Sequence, residues 1–373
     1  MRVLVDYRPA LRARTGVGEY VHEMVRALAG PGGPATPGSL TLFTASWTDR
    51  LAVGVTQELR IPAVDRRLPV RALTWSWNRL RFPPVEWLAG PVDLAHSATP
   101  LAIPSRTART VLTIHDLHFL RHPERVTAEM RRDFPRLVRS HAARAEAIVV
   151  SSRYTADDVA RTLGVPASRI HLCPPGAPRW AADIRRRRQD LAPRHILFIG
   201  TLDARKNVGT LLEAYAQLTG RRPDAPPLVI AGGMTPAGVR WQDEARARHL
   251  AGLVQWRGYV DEGTRQELYA AAHMLVLPSL DEGFGLPVLE AMACGVPVVV
   301  SSGGSLPEVA GDAARPIPPD DANGFREAME ALLHPDVAAV ATAQGLARAA
   351  EFRWDQCAER VWRAYLAALE IKA

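Results

Sequence analysis

A chain of 373 residues, 47 % hydrophobic and 23 % charged, has the composition of a globular protein and the length for two domains with separate cores. A formal charge of +7 permits contact with anionic lipid or nucleic acid without requiring either. Three scattered cysteines, Cys173, Cys294 and Cys357, argue against a disulfide framework and a paired-cysteine zinc site. No apolar run approaches the ~20 residues of a membrane span, and residues 1–6 are charged too early for a secretory signal. A reducing cytoplasm is the expected compartment. Of the 46 basic residues only Lys206 and Lys372 are lysines, and that arginine bias makes each lysine informative.

Residues 2–6 read as a first buried strand. Thr15-Gly16-Val17-Gly18-Glu19-Tyr20 then leads into an amphipathic helix ending near Leu28. A dinucleotide fingerprint needs its glycines directly after the strand, and here Val21 occupies the third position. Residues 40–43, 92–96 and 110–114 read as further strands, the last running into His115-Asp116. In a parallel sheet that pair stands at the carboxyl edge, where open α/β sheets bind ligands. Residues 66–81 mix arginines with Leu73, Trp75 and Trp77, with Phe82 following. They suit either a solvated helix with inward tryptophans or an acceptor- or membrane-facing surface. A helix is expected over 124–145 with a kink near Pro135, then a strand at 147–150, and a capping box at Thr155 and Asp158. After a strand at 170–173, the breakers Pro174, Pro175 and Gly176 and the run Arg185 to Arg188 predict an interdomain linker over 174–193.

The strand-and-helix alternation restarts at residue 195: strand, polar loop 201–207, helix 208–218, then strands at 228–233 and 254–260. Two such units imply facing sheet edges with a cleft between them. A strand at 274–277 opens the densest motif of the chain, Glu282-Gly283-Phe284-Gly285-Leu286-Pro287-Val288-Leu289-Glu290. The glycines let a ligand approach backbone N–H groups, and Pro287 suits the first turn of a helix that Gly295 ends. By spacing alone, Glu290 reads rather as a first-turn glutamate complementing the helix dipole than as a ligand contact. Residues 354–369 form a last helix with Val361, Tyr365 and Leu369 on one face.

This glutamate-x7-glutamate segment resembles, almost letter for letter, that of the retaining GT-B glycosyltransferases of family GT4. Thr201-Leu-x-x-Arg205-Lys206-Asn207 resembles their pyrophosphate loop, and His115-Asp116 their His-Asp pair. The resemblance implies an α/β GT-B fold. Residues 1–178 would form an acceptor-side Rossmann-like domain, with a C-terminal helix at about 354–373 crossing back onto it, and residues 179–353 a nucleotide-sugar-binding one. It implies that Glu282 and His115 contact the donor sugar and Glu290 the ribose. The backbone of Gly283, Phe284, Gly285 and Leu286 would line sugar and diphosphate, and Gly16 would admit the donor. Arg205 and Lys206 would stabilise charge growing on the β-phosphate of the leaving group. No Asp-x-Asp occurs in the chain, so no metal and no cofactor beyond a GDP- or UDP-linked donor is expected. Many family members carry arginine where Thr201 stands, which shifts phosphate contact toward Arg205.

The motif spelling leans toward bacterial mannosyltransferases that use GDP-mannose and build O-antigen or exopolysaccharide. The expected partners are a nucleotide sugar and a glycan or lipid-linked acceptor, with peripheral contact with the inner, anionic membrane face open and no nucleic acid. An NAD-dependent oxidoreductase and a non-catalytic glycan- or nucleotide-binding module are the alternatives.

Overall fold

The computed structural model describes residues 1–11, 16–125 and 128–370. Thr15 of the glycine-rich loop, Val126 and Thr127 of the expected 124–145 helix, and Lys372 lie outside the described residues. The chain divides into two compact units, Met1–Gly176 with Arg353–Ala373, and Ala177–Phe352.

Each unit is built on a parallel sheet whose central strands are mostly apolar and buried on both faces, while the edge strands Ala63–Arg66, Ile170–Leu172 and Val254–Gly258 are only partly buried. The first sheet contains β1 (Val3–Asp6), β2 (Leu40–Ala45), β3 (Ala63–Arg66), β4 (Leu94–Ser97), β5 (Arg109–Ile114), β6 (Ala147–Val150) and β7 (Ile170–Leu172), in the order β3-β2-β1-β4-β5-β6-β7. The second contains β8 (His195–Ile199), β9 (Leu228–Ala231), β10 (Val254–Gly258), β11 (Ala272–Leu277) and β12 (Val298–Val300), in the order β10-β9-β8-β11-β12. Strand order reverses between β1 and β4 in one sheet and between β8 and β11 in the other. Loops leaving the carboxyl ends at such a reversal diverge and leave a crevice, where open α/β sheets take ligands.

The helix Trp354–Glu370 belongs to the first unit and packs on the helix Val17–Ala29. Val361, Ala364, Tyr365 and Ala368 are fully buried on its inner face. Tyr365 also ties it to the sheet: its hydroxyl meets His96 Nδ1 at 2.7 Å, while His96 Nε2 meets Thr113 Oγ1 at 2.7 Å.

Local expectations fail in two places. The 174–193 linker contains a helix, Ala181–Gln189, whose Ala181 and Ile184 enter the core of the second unit. Its arginine run is consumed locally: Arg185 donates to the Ala293 carbonyl, Arg188 to those of Tyr269, Ala270 and Ala272, and Arg187 pairs with Glu267. The helix cap at 152–155 is Ser152, whose hydroxyl accepts from Thr155 N–H. Asp158 is instead buried in ion pairs with Arg121 and Arg161. The loop 201–207 contains a 3₁₀ turn, Ala204–Lys206, and the helix Val208–Arg221 starts after Asn207 as the sequence predicts. Trp77 packs inward while Trp75 stands exposed, so the aromatics of 66–82 split between the two readings.

Candidate functional site

In the second unit the reversal point is flanked by the loop after β8, carrying Arg205 and Lys206, and the loop after β11, carrying Glu282. The structure brings these three together. Glu282 receives Arg205 Nη1 at 2.9 Å, Lys206 Nζ at 2.5 Å and the Ser279 hydroxyl at 2.7 Å. Burial of Glu282 (6 % exposed) would by itself raise its pKa. The Lys206 and Arg205 charges and the hydrogen bonds outweigh that and hold it down at about 2. The cluster therefore sets two cations on the Glu282 carboxylate, with Asp203 3.6 Å from Arg205 Nε, at a crevice lined by backbone.

Local chemistry fixes each member. Asp203 accepts from Arg205 N–H and closes the 3₁₀ turn. Asn207, in left-handed backbone, ties the turn to the carbonyls of Pro278 and Pro319. Leu280 N–H donates to the Arg205 carbonyl at 2.7 Å, locking the two loops together. Gly285 caps the helix Leu286–Ala293 at φ 95°, and a Cβ there would lie 2.6 Å from Leu306 Cδ2. Gly304, at φ 66°, lies against the Glu282 backbone: its Cβ would come within 2.3 Å of the Glu282 carbonyl oxygen. Ser305 donates to that carbonyl from both N–H and hydroxyl. Phe284 is buried and meets Phe352 edge to face at 5.6 Å, so its side chain serves the core and only its backbone remains for a ligand.

Glu290, inside the helix Leu286–Ala293, is also buried and already engaged. Its Oε1 takes Arg265 Nη1 at 3.0 Å and its Oε2 the Tyr269 hydroxyl at 2.8 Å. Burial raises its pKa, and Arg265 and Tyr269 pull the other way. Trp180 stacks on Tyr269 at 5.8 Å and lies under the Arg265 guanidinium at 5.5 Å. The bland reading of Glu290 as a dipole partner is therefore incomplete, because a dedicated cation holds it.

His115 and Gly16 belong to the first unit. His115 follows β5, with the Tyr20 ring edge-on at 5.1 Å and Thr155 donating to its carbonyl. Burial drives the imidazole pKa down to about 4, against the nearby Asp116 charge and a ring hydrogen bond to the Ala98 backbone. The ring is neutral, and Nε2 is buried with no protein partner among the described residues. A neutral ring nitrogen left open at a sheet's carboxyl edge suits a ligand hydroxyl. Asp116 instead accepts from His118 N–H and shapes the turn. Gly16, at φ 52°, caps the helix Val17–Ala29 and faces open space.

Sequence reading missed Ser279, Gly303, Gly304, Ser305, Arg265 and Tyr269. The pair Gly303-Gly304 after an apolar strand was a legible signal. Arg265 was not, in a chain so rich in arginine. Among the described residues no group of three His, Cys, Asp or Glu side chains gathers as metal ligands.

The family described as Glycosyl transferases group 1 matches residues 193–335, and Glycosyltransferase Family 4 matches residues 14–179. The O-antigen chain mannosyltransferase B of Escherichia coli is 31 % identical over 98 % of this chain and 99 % of its own. Among solved structures, sucrose-phosphate synthase of Thermosynechococcus elongatus superposes with a TM-score of 0.76 at 21 % identity, covering 98 % of both chains. HepE of Anabaena, in complex with UDP and glucose, gives 0.72 at 16 % identity, covering 98 % of this chain and 99 % of its own. Those two likenesses establish the GT-B fold, and the kinship along nearly the full length decides the rest: the chain belongs to the family 4 (group 1) glycosyltransferases.

Proposed function

We propose that the protein is a retaining mannosyltransferase that moves mannose from GDP-mannose to a glycan or lipid-linked acceptor without a metal ion. The observation that carries this reading is the convergence of Arg205 and Lys206 on Glu282 at the β8/β11 reversal. The choice of sugar leans on the likeness to O-antigen chain mannosyltransferase B. Residues 179–353 hold the donor and residues 1–178, with the last helix, the acceptor.

Arg205 and Lys206 bind the diphosphate and stabilise charge on its β-phosphate as the bond to the anomeric carbon breaks. The backbone of Gly283, Phe284, Gly285 and Leu286 lines sugar and phosphates, Glu290 takes the ribose hydroxyls, and Gly16, His115 and Glu282 position the donor. The acceptor oxygen forms its bond on the face the phosphate leaves, and its proton passes to a β-phosphate oxygen. Glu282 is a poor nucleophile for double displacement, since its carboxylate is engaged by two cations and a hydroxyl. UDP-linked sugar is the second donor reading, because HepE holds UDP in a related fold. The oxidoreductase alternative has no support from the family matches.

Among the described residues no helix is long and apolar enough to cross a membrane. Peripheral attachment in the cytoplasm, through exposed Trp75 and Phe82 and nearby arginines, remains part of the proposal. A thermal-shift panel of GDP, UDP, ADP and NAD tests the donor, followed by transfer from GDP-mannose in excess EDTA with the product anomer read by NMR. Stabilisation by GDP, turnover in EDTA and an α-linked product are expected. Stabilisation by UDP alone overturns the donor, and loss in EDTA with recovery in Mg²⁺ or Mn²⁺ overturns the metal-free mechanism.

A further inference from the structure

The first unit also holds a cavity of about 200 Å³ at the amino end of β5, the opposite edge from His115. Its walls are the C-terminal end of the helix Val70–Leu80, the 102–110 segment and the last turn of the helix Ala128–Arg144. Arg81, His141 and Arg144 line it together with Trp77 and Glu146. Glu146 is committed to Arg109 and to Thr110 N–H, both at 2.8 Å. Among the described residues no carboxylate pairs with Arg81 or Arg144. Both arginines are exposed at the cavity rim, where Arg144 Nη1 donates to the Ser140 hydroxyl, and after burial the Arg81 charge lowers the Arg144 pKa.

His141 is 6 % exposed, and its Nδ1 accepts from Ala102 N–H at 3.0 Å. Burial, then Arg144 and Arg81, press its pKa down to about 4, so at neutral pH the ring carries its one proton on Nε2. That N–H has no protein partner among the described residues. The surrounding loop is rigid: Glu86 accepts the Ser105 hydroxyl and the backbone N–H groups of Arg106, Thr107 and Ala108. Trp77 Nε1 donates to the Pro83 carbonyl.

We propose that this cavity binds a phosphate group through the Arg81 and Arg144 guanidiniums and the His141 Nε2–H. Two planar forks and a ring N–H present donors to several oxygens of one tetrahedral anion, a geometry that arginine supplies and lysine does not. Arginines at helix carbonyl ends also complement the dipole. That accounts for their charge, but not for two of them sharing a cavity with the open Nε2–H of a buried histidine. The phosphate could be free or the headgroup of a lipid. Next to Arg81 in the chain, Phe82 packs edge to face on Trp87 at 5.2 Å, the two 49 % and 61 % exposed, as an interfacial aromatic pair would be.

The test compares the full chain with Arg81→Ser/Arg144→Ser and with a charge-matched control, Arg240→Ser/Arg363→Ser. Inorganic phosphate and sn-glycerol 3-phosphate are titrated by calorimetry, and vesicles of phosphatidylcholine with or without phosphatidylglycerol are co-sedimented. Phosphate affinity should fall at least about tenfold in the cavity variant only. At about 1 kcal/mol per basic residue and 1.4 kcal/mol per decade, a lipid source predicts about 30-fold weaker partition onto anionic vesicles. Loss of phosphate binding with unchanged vesicle partition supports the site and assigns a free phosphate. A cavity variant that matches the control in both assays overturns the proposal and leaves these arginines as helix-end charges.

Discussion

Glu282→Gln separates the electrostatics of the cation cluster from its shape. In the protein as it stands, Lys206 (6 % exposed) has its Nζ 2.5 Å from Glu282. Arg205 keeps Asp203 at 3.6 Å and the Asp281 carbonyl besides. Neutralising Glu282 therefore strands mainly Lys206, and the cost belongs at the low end for a broken buried pair, about 3 kcal/mol. For a unit of this size that is a fall in Tm of roughly 6–12 °C. A diphosphate beside the cluster would feel the Glu282 carboxylate as repulsion. At an effective dielectric constant of about 20, unit charges 5–8 Å apart repel by about 2–3 kcal/mol. The variant should thus be less stable alone, yet bind GDP about 30- to 150-fold more tightly, while turnover drops because the sugar loses a contact. Calorimetric titration with GDP, beside a thermal melt, reads both signs at once. A lowered Tm with unchanged or weaker nucleotide affinity would refute the placement of the phosphates here.

The buried Arg265–Glu290 pair predicts that Arg265→Met alone costs about 3–5 kcal/mol by leaving a carboxylate uncompensated, with much of that loss recovered in Arg265→Met/Glu290→Gln. Urea melts of the two variants check it, and equal stability of single and double variants would mean the pair is not coupled. His96 is fully buried and its pKa is pressed to about 3 by burial, below the unfolded value of about 6.5. A depressed histidine contributes full stability above about pH 6.5 and loses it as pH falls toward 3, at up to ~1.4 kcal/mol per pH unit. His115 and His141 add slope of the same sign, so His96→Gln should reduce the slope between pH 6.5 and 5 in urea melts by one group's share, and an unchanged slope would show that His96 titrates normally in the folded state.

Glu282, Gly285, Glu290, Arg205, Lys206 and His115 stood out in the sequence as candidates because they lie in short, local motifs that resemble those of the family, and of these the fold brings Arg205, Lys206 and Glu282 into contact. The apolar runs of 195–199 and 274–277 likewise announced buried parallel strands, since each carries its burial within its own residues. What joins distant stretches was not legible. Nothing near Glu282 says that Ser279, Arg205 and Lys206 meet on its carboxylate, or that Gly304 must lack a side chain to pass the Glu282 carbonyl. The four arginines 185–188 read as a solvated linker, because a charge run carries no sign of which carbonyl ends it will satisfy. Only the packed helix ends at Ala293 and Ala270 settled that. Glu290 became a buried ion pair for the same reason: Arg265, 25 residues away, is one arginine among many until the fold sets it 3.0 Å from that carboxylate.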